Sequence, residues 1–278
     1  MKPPIRIQLL ADNVRLCLPN FPLTTKWLTE EERHFAQWRL VDDAKESDDT
    51  KAVSLKVGMK MVLKDYRLYM FMLFQHLSLL SQTFQYFFPS IVNTLGFGKI
   101  ETLLLTVPVW FTTFLVSLFV TWTAGKTGDR SIHIICLLCI SCIGNIICIS
   151  TTNTGLRFFA MFLMPMGAVS AYQIIVTWVA NSFPRPMVKR SAAIAICNMI
   201  GNASSIYGSY MYPSSDGPRY LPGGIAVAVI CLIIAGLAFM IRLCLIWENK
   251  KIEKSEAENT EISADNTGTR GVGFRYVY

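Results

Sequence analysis

Three glutamines and a serine share one face of an apolar segment: Gln75, Ser78, Gln82 and Gln85 stand at i, i+3, i+7 and i+10, a helical spacing. Their amides offer donors and acceptors without fixed charge. Such a stripe suits either a polar solute in a cavity or hydrogen bonds between helices. His76 lies beside it, an imidazole that can titrate near neutral pH or serve as a satisfied packing group. A second stripe, Asn198, Asn202, Ser205 and Ser209 at i, i+4, i+7 and i+11, allows the same two readings, and Tyr172, Gln173 and Trp178 add hydrogen-bonding and stacking groups. The candidate solute-binding set is therefore Gln75, Gln82, Gln85, Tyr172, Gln173, Asn198 and Asn202.

Catalytic and metal chemistry lack parts. His34, His76 and His133 are far apart in the chain, and no Gly-x-Ser-x-Gly elbow, phosphate-binding loop or His-Glu-x-x-His helix occurs. Cys136, Cys139 and Cys142 have a ligand-like spacing, but a zinc site needs four convergent ligands and a polar supporting shell. Cysteines inside apolar segments pack as small hydrophobes. The chain is read as a non-enzyme with no cofactor and no metal.

The elements that must position the two stripes are membrane-length. Of 278 residues, 52% are hydrophobic and 16% charged, and of the 26 basic and 19 acidic residues only 12 lie between Leu68 and Ile246. A bilayer core requires about 20 mostly apolar residues per helix, and these stretches are too continuously apolar for the alternating strands of a barrel. Six spans are expected, near Leu68–Val92, Thr102–Ala124, Ile132–Ser150, Leu156–Ala180, Ala192–Met211 and Ile225–Ile246. Ten lysines and arginines fall in the loops and ends of one side, against Lys99, Arg157 and Arg219 on the other, which places both termini in the cytoplasm. The net charge of +7 follows from this bias and implies no nucleic-acid partner; the lipid bilayer is the partner it implies.

The expected organisation is a cytoplasmic segment over 1–66, a six-helix bundle over 67–247 and a disordered cytoplasmic tail over 248–278. Residues 1–20 show no clear periodicity. Thr29 followed by Glu32 predicts a capping box, and Phe35 and Trp38 give the short helix after it an aromatic edge. Residues 42–51 read as a solvated linker, and Lys56 to Arg67 as a basic approach to the first span. Pro108 and Pro165 can kink their spans, and Gly167-Ala168, Gly201 and Gly208 suit close helix contact.

Three stretches carry a family likeness: Phe21-Pro-Leu-Thr-Thr-Lys-Trp-Leu-Thr-Glu-Glu-Glu-Arg33, Phe183-Pro-Arg-Pro-Met-Val-Lys-Arg-Ser-Ala192, and Gly201-Asn-Ala-Ser-Ser-Ile-Tyr-Gly-Ser-Tyr-Met-Tyr-Pro-Ser-Ser-Asp-Gly-Pro-Arg-Tyr220. Over roughly residues 19–250 the chain resembles fungal major facilitator carriers of the anion:cation symporter group, the allantoate and nicotinic acid permease type. The resemblance implies an all-α membrane fold equivalent to the C-terminal half of such a carrier. It also implies proton-coupled symport of small organic anions, such as vitamin-like carboxylates, across the plasma membrane. The partner would be a separately encoded N-terminal half or a second copy, since carriers of this fold bind solute between two halves. The superfamily's loop between the second and third spans of each half holds an Asp followed by basic residues. Here it reads Gly125-Lys-Thr-Gly-Asp-Arg130: in one alignment Gly125 stands where the Asp would be, and in the other Asp129 and Arg130, the gating-loop candidates, form the pair without the basic residues after it. The alternative is a non-transporting membrane component: a nutrient sensor, a partner-binding remnant or a degenerate carrier product.

Overall fold

The computed structural model describes residues 29–44, 54–86, 88, 99–183, 186–216, 219–257 and 275–278. The first 28 residues, the linker beyond Ala44, the first expected span beyond Tyr86 apart from Phe88, Arg185 and the tail over 258–274 lie outside them. Every regular element among the described residues is helical. Helix α1 spans Glu30–Ala44, α2 Leu55–Leu63, α3 Tyr66–Leu80, α4 Lys99–Thr127, α5 Arg130–Ser150, α6 Thr154–Ser182, α7 Met187–Gly208 and α8 Leu221–Ala257.

Two compact units divide the chain, and α1 belongs to the first, with α2 to α8 and residues 275–278 in the second. The capping box of α1 forms as its spacing predicts: Glu32 Oε2 accepts from Thr29 N at 2.9 Å, and Thr29 Oγ1 accepts from Glu32 N at 3.4 Å. Phe35 and Trp38 stack along one edge with ring centroids 6.0 Å apart.

Among the described residues of the second unit, four helices are long and apolar enough to cross a membrane: Leu104–Thr127, Arg130–Ser150, Thr154–Ser182 and Leu221–Lys254. The other two expected spans differ. Helix α3 stops at Leu80 and tightens into a 3-10 turn over Ser81–Tyr86, where Ser81 Oγ donates to Ser78 O and Thr83 Oγ1 to Leu80 O. Hydroxyls bonded back to the previous turn compete with the α-helical ladder. Helix α7 follows the fifth expected span only to Gly208, where a 3-10 turn takes over Ser209–Met211, and it starts earlier, with Lys189 and Arg190 in its first turn and Asn198 and Asn202 farther along. The last helix runs on to Ala257, ten residues past the expected boundary at Trp247.

Small residues set the packing. Helix α5 lies between α6 and α8, α3 against α7, and α4 against α6. A Cβ added at Gly167 would fall on the Leu137 carbonyl and within 2.6 Å of Ser141 N, so α5 and α6 touch backbone to backbone. Ser141 Oγ donates to Met164 O at 3.1 Å across the same contact. On the other seam, Gly201 meets Leu79 and Gln75, and Gly208 meets Thr83. The turn between α4 and α5 is only two residues long, and Gly128 takes the left-handed φ of 73° that closes it. Trp178, fully buried, is held edge-on by Phe71 at 5.7 Å and Phe74 at 5.9 Å. It belongs to the core and not to an open stacking site.

Candidate functional site

The residues of the first polar stripe do not share one environment. Gln75 is buried, and its amide donates to Asn198 Oδ1 across the α3–α7 seam. Gln82 Nε2 donates at 3.3 Å to Ser78 O in its own segment, and Asn202 Nδ2 donates at 2.8 Å to Asn198 O. Gln85 and Asn202 are exposed, and Tyr172 is half-buried. The structure thus brings Gln75 and Asn198 together as helix-to-helix hydrogen bonding. Facing α-helical backbones leave the amides no better acceptor, and an unpaired amide in an apolar interior is costly.

A recess opens elsewhere, between α4 and α6. It holds about 420 Å³ and is lined by Trp110, Thr113, Phe114, Ser117, Leu118, Thr121, Val169, Gln173 and Thr177. Gln173 is the one member of the sequence-based binding set that reaches it. Ser117 and Ser170 hydroxyls meet at 2.8 Å beside it, and Thr113 Oγ1 donates to Val109 O at 2.8 Å, in the turn after Pro108. The recess has aromatic walls, hydroxyls and one amide, and none of the lining side chains is charged. It can hold a planar apolar body and donate hydrogen bonds to its polar end. Thr113, Ser117 and Thr121 repeat every four residues beside Trp110 and Phe114. That spacing was the available signal, weak because hydroxyls also occur in buried helices as back-bonded groups.

Asp129 and Arg130, the two gating-loop candidates, are tied into the helix ends. Asp129 Oδ1 lies 3.1 Å from Arg242 Nη1, and Arg242 also donates to Ser131 Oγ at 2.9 Å. Arg130 is buried and donates from Nη1 to Thr177 O at 3.2 Å. Residues 275–278 are packed onto this end as a short strap. Tyr278 O accepts from Arg130 N at 3.0 Å, Val277 O from Trp178 Nε1 at 2.9 Å, and Tyr276 exchanges two 2.8 Å bonds with Asn249. The guanidinium of Arg67 sits 4.9 Å above the Tyr276 ring, and that of Arg242 5.2 Å above the Tyr278 ring. Tyr276→Ala is expected to free the strap and speed amide exchange at Arg130 at least about tenfold, read by hydrogen-exchange mass spectrometry.

Next to the strap lies a buried ion network that sequence reading missed. Asp65 caps α3 through Arg67 N at 3.1 Å and grips the Arg67 side chain at 2.9 and 2.7 Å. Lys189 from α7 reaches the same carboxylate at 2.9 Å, and Arg67 extends to Glu248 of α8 at 3.4 Å. Burial opposes ionisation of Asp65, but Arg67 and Lys189 outweigh it and hold the carboxyl at about 2. The visible signal was an Asp directly before an apolar run, a helix N-cap pattern.

The Major Facilitator Superfamily model matches residues 24–209, more than half of the chain. An uncharacterized transporter of Schizosaccharomyces pombe is 27% identical over 95% of this chain and 53% of its own length. The MFS-type transporter efuF of Hormonema carpetanum is 26% identical over 88% of this chain and 50% of its own. The high-affinity nicotinic acid transporter of Saccharomyces cerevisiae is 26% identical over 49% of this chain and 26% of its own. The chain thus spans about half the length of the first two of these relatives. No solved structure matches it. Four membrane-capable helices in an all-helical bundle agree with the matched family. The chain belongs to the Major Facilitator Superfamily.

Proposed function

We propose that this chain forms the six-span half, equivalent to the C-terminal half, of a proton-coupled carrier of small organic anions. It sits in the plasma membrane with both ends in the cytoplasm, and α3 and α7 complete the set of spans begun by the four apolar helices. A separately encoded N-terminal half or a second copy supplies the opposing wall. The observation that carries this reading is the uncharged recess between α4 and α6, with Trp110, Phe114 and Gln173 in its lining. Its volume lies within the usual range for small-molecule sites. Nicotinic acid, named by the yeast relative, joins an aromatic ring to a carboxylate. That combination suits two aromatic walls and a row of hydroxyl donors.

Asp129 and Arg130 serve as the gating loop in this reading, since they connect α5 to α8 and to the strap. Exposed Gln85 and Asn202 face the opposing half, because an amide turned to lipid would be costly. The test is uptake of radiolabelled nicotinate into proteoliposomes containing the chain alone or with an N-terminal half, under an inward proton gradient. Gradient-driven uptake in either arrangement is expected, and its absence in both would sink the proposal. Trp110→Ala is expected to weaken nicotinate binding about tenfold, measured by calorimetry, as the loss of one stacking wall.

A further inference from the structure

His76 is placed where a proton could do work. It lies ten residues after the start of α3 and ten before Tyr86, so about 15 Å of helix separates it from the α3 N-terminus. The described Asp, Glu, Lys and Arg residues of α4 to α7 all lie within four residues of a helix end. His76 is half-buried on the α3–α7 seam, and both ring nitrogens are engaged by α7. Nδ1 lies 2.7 Å from the Ile200 carbonyl, and Nε2 meets the Tyr207 hydroxyl. A carbonyl can only accept, so Nδ1 carries a hydrogen in either charge state. The neutral ring then uses its Nε2 lone pair to accept a hydrogen bond from the Tyr207 hydroxyl.

Both charge states fit the same heavy atoms. When Nε2 gains a proton, it becomes a donor to Tyr207 Oη. The hydroxyl keeps its own hydrogen and must turn it elsewhere. Tyr207 is 44% exposed, so that hydrogen can point to the open side of the half. Protonation thus adds one positive charge and releases one O–H donor at the same place, which is what a carboxylate needs. An ionisable ring in a span faces a cavity or another protein surface, because facing lipid is costly.

Other titratable groups around α3 are engaged elsewhere or buried. From α7, Lys189 is held by Asp65 and Cys197 is a fully buried free thiol; from α8, Cys244 and Glu248 contact Tyr66, and Glu248 also pairs with Arg67. From α6 the ring contacts are aromatic, Trp178 against Phe71 and Phe74, and from α2 the Leu63 carbonyl accepts from Tyr69. The contacts made by the charged groups fall on residues 65–67, at least nine residues from His76 and so about 13 Å along the helix.

We propose that His76 and Tyr207 form a proton-dependent anion site, in which uptake of a proton on His76 Nε2 frees the Tyr207 hydroxyl to donate to a carboxylate solute. This rests on the carrier reading and puts its coupling step at a second anion site on the α3–α7 seam, separate from the recess lined by Trp110, Phe114 and Gln173.

The experiment has two measurements on the full chain in nanodiscs. Nitrogen-15 histidine NMR from pH 8 to pH 5, with His76→Gln to assign the signal, is expected to show Nδ1 protonated throughout and Nε2 gaining a proton. An Nε2 that stays unprotonated over that range overturns the proposal. Calorimetry with nicotinate is expected to show binding at least about tenfold tighter at pH 6 than at pH 8, as a proton-gated site requires. His76→Gln should flatten that profile. Tyr207→Phe should leave the NMR titration in place but lose most of the tightening. A His76→Gln chain that still tightens tenfold overturns the proposal and leaves the carrier reading standing. A wild-type chain that binds nicotinate at neither pH overturns the carrier reading, and the coupling with it.

Discussion

Asp65→Asn is expected to cost about 3–5 kcal/mol of stability, the usual loss when one partner of a buried ion network is removed. Asp65, Arg67 and Lys189 are all buried, and the single carboxylate faces two cations at 2.7 and 2.9 Å. Neutralising it removes the negative charge that both cations share, while Arg67 keeps its 3.4 Å contact with Glu248. Acid should act more gently than the mutation. The Asp65 carboxyl is held at about 2 against an ordinary 3.8, a difference of about 2 kcal/mol between the charge states. The sign follows from the lowered value: the stabilisation is complete above about pH 4 and is lost as pH falls toward 2. Chemical unfolding in a fixed detergent would measure both effects. Because Lys189 is the cation contributed by α7, Asp65→Asn combined with Lys189→Met should recover part of the loss. A loss below about 1 kcal/mol in the single variant would mean that water screens the network.

Gly167→Ala should be the second severe change, at or above about 3 kcal/mol, the upper end of overpacking costs. Its Cβ would meet the Leu137 carbonyl and Ser141 N at 2.6 Å, both backbone atoms of α5. Backbone cannot rotate out of the way as a side-chain tip can, so α5 and α6 must separate. Separation also stretches the Ser141 Oγ bond to Met164 O, now 3.1 Å. Gly236 in α8 provides the control, since no atom lies within 4 Å of a Cβ built there. Gly236→Ala should be neutral or gain up to about 1 kcal/mol from helix propensity. Thermal unfolding of the two variants side by side is decisive. Equal melting temperatures would refute the backbone contact.

The two glycines make a wider point about what can be read from a chain. Gly167, Gly201 and Gly208 were legible as close-contact positions because small residues in apolar helices have few other uses. One helix start was legible too: Thr29 with Glu32 forms its capping box. The polar stripes were only half legible. Periodicity placed Gln75 and Asn198 each on one face of its helix, but not in register with each other. Their pairing commits one Gln75 amide hydrogen and the Asn198 side-chain oxygen to each other. Trp110 and Phe114 were invisible for the opposite reason, because an aromatic residue at helical spacing reads the same whether it faces lipid, core or a recess.

Composition and periodicity by themselves determined the all-helical membrane character and most helix positions. Those properties depend on transfer of whole segments from water, a sum over many residues that tolerates error at any one. Tertiary structure alone decided which polar groups face each other. It ended α3 at Leu80, drew Asp65, Arg67, Lys189 and Glu248 from three helices into one network, and laid residues 275–278 across Trp178 and Arg130. It also placed Gln173, alone of the candidate set, in the lining of the recess between α4 and α6. Each of these depends on distances of a few ångströms between residues far apart in the chain, which no local pattern encodes.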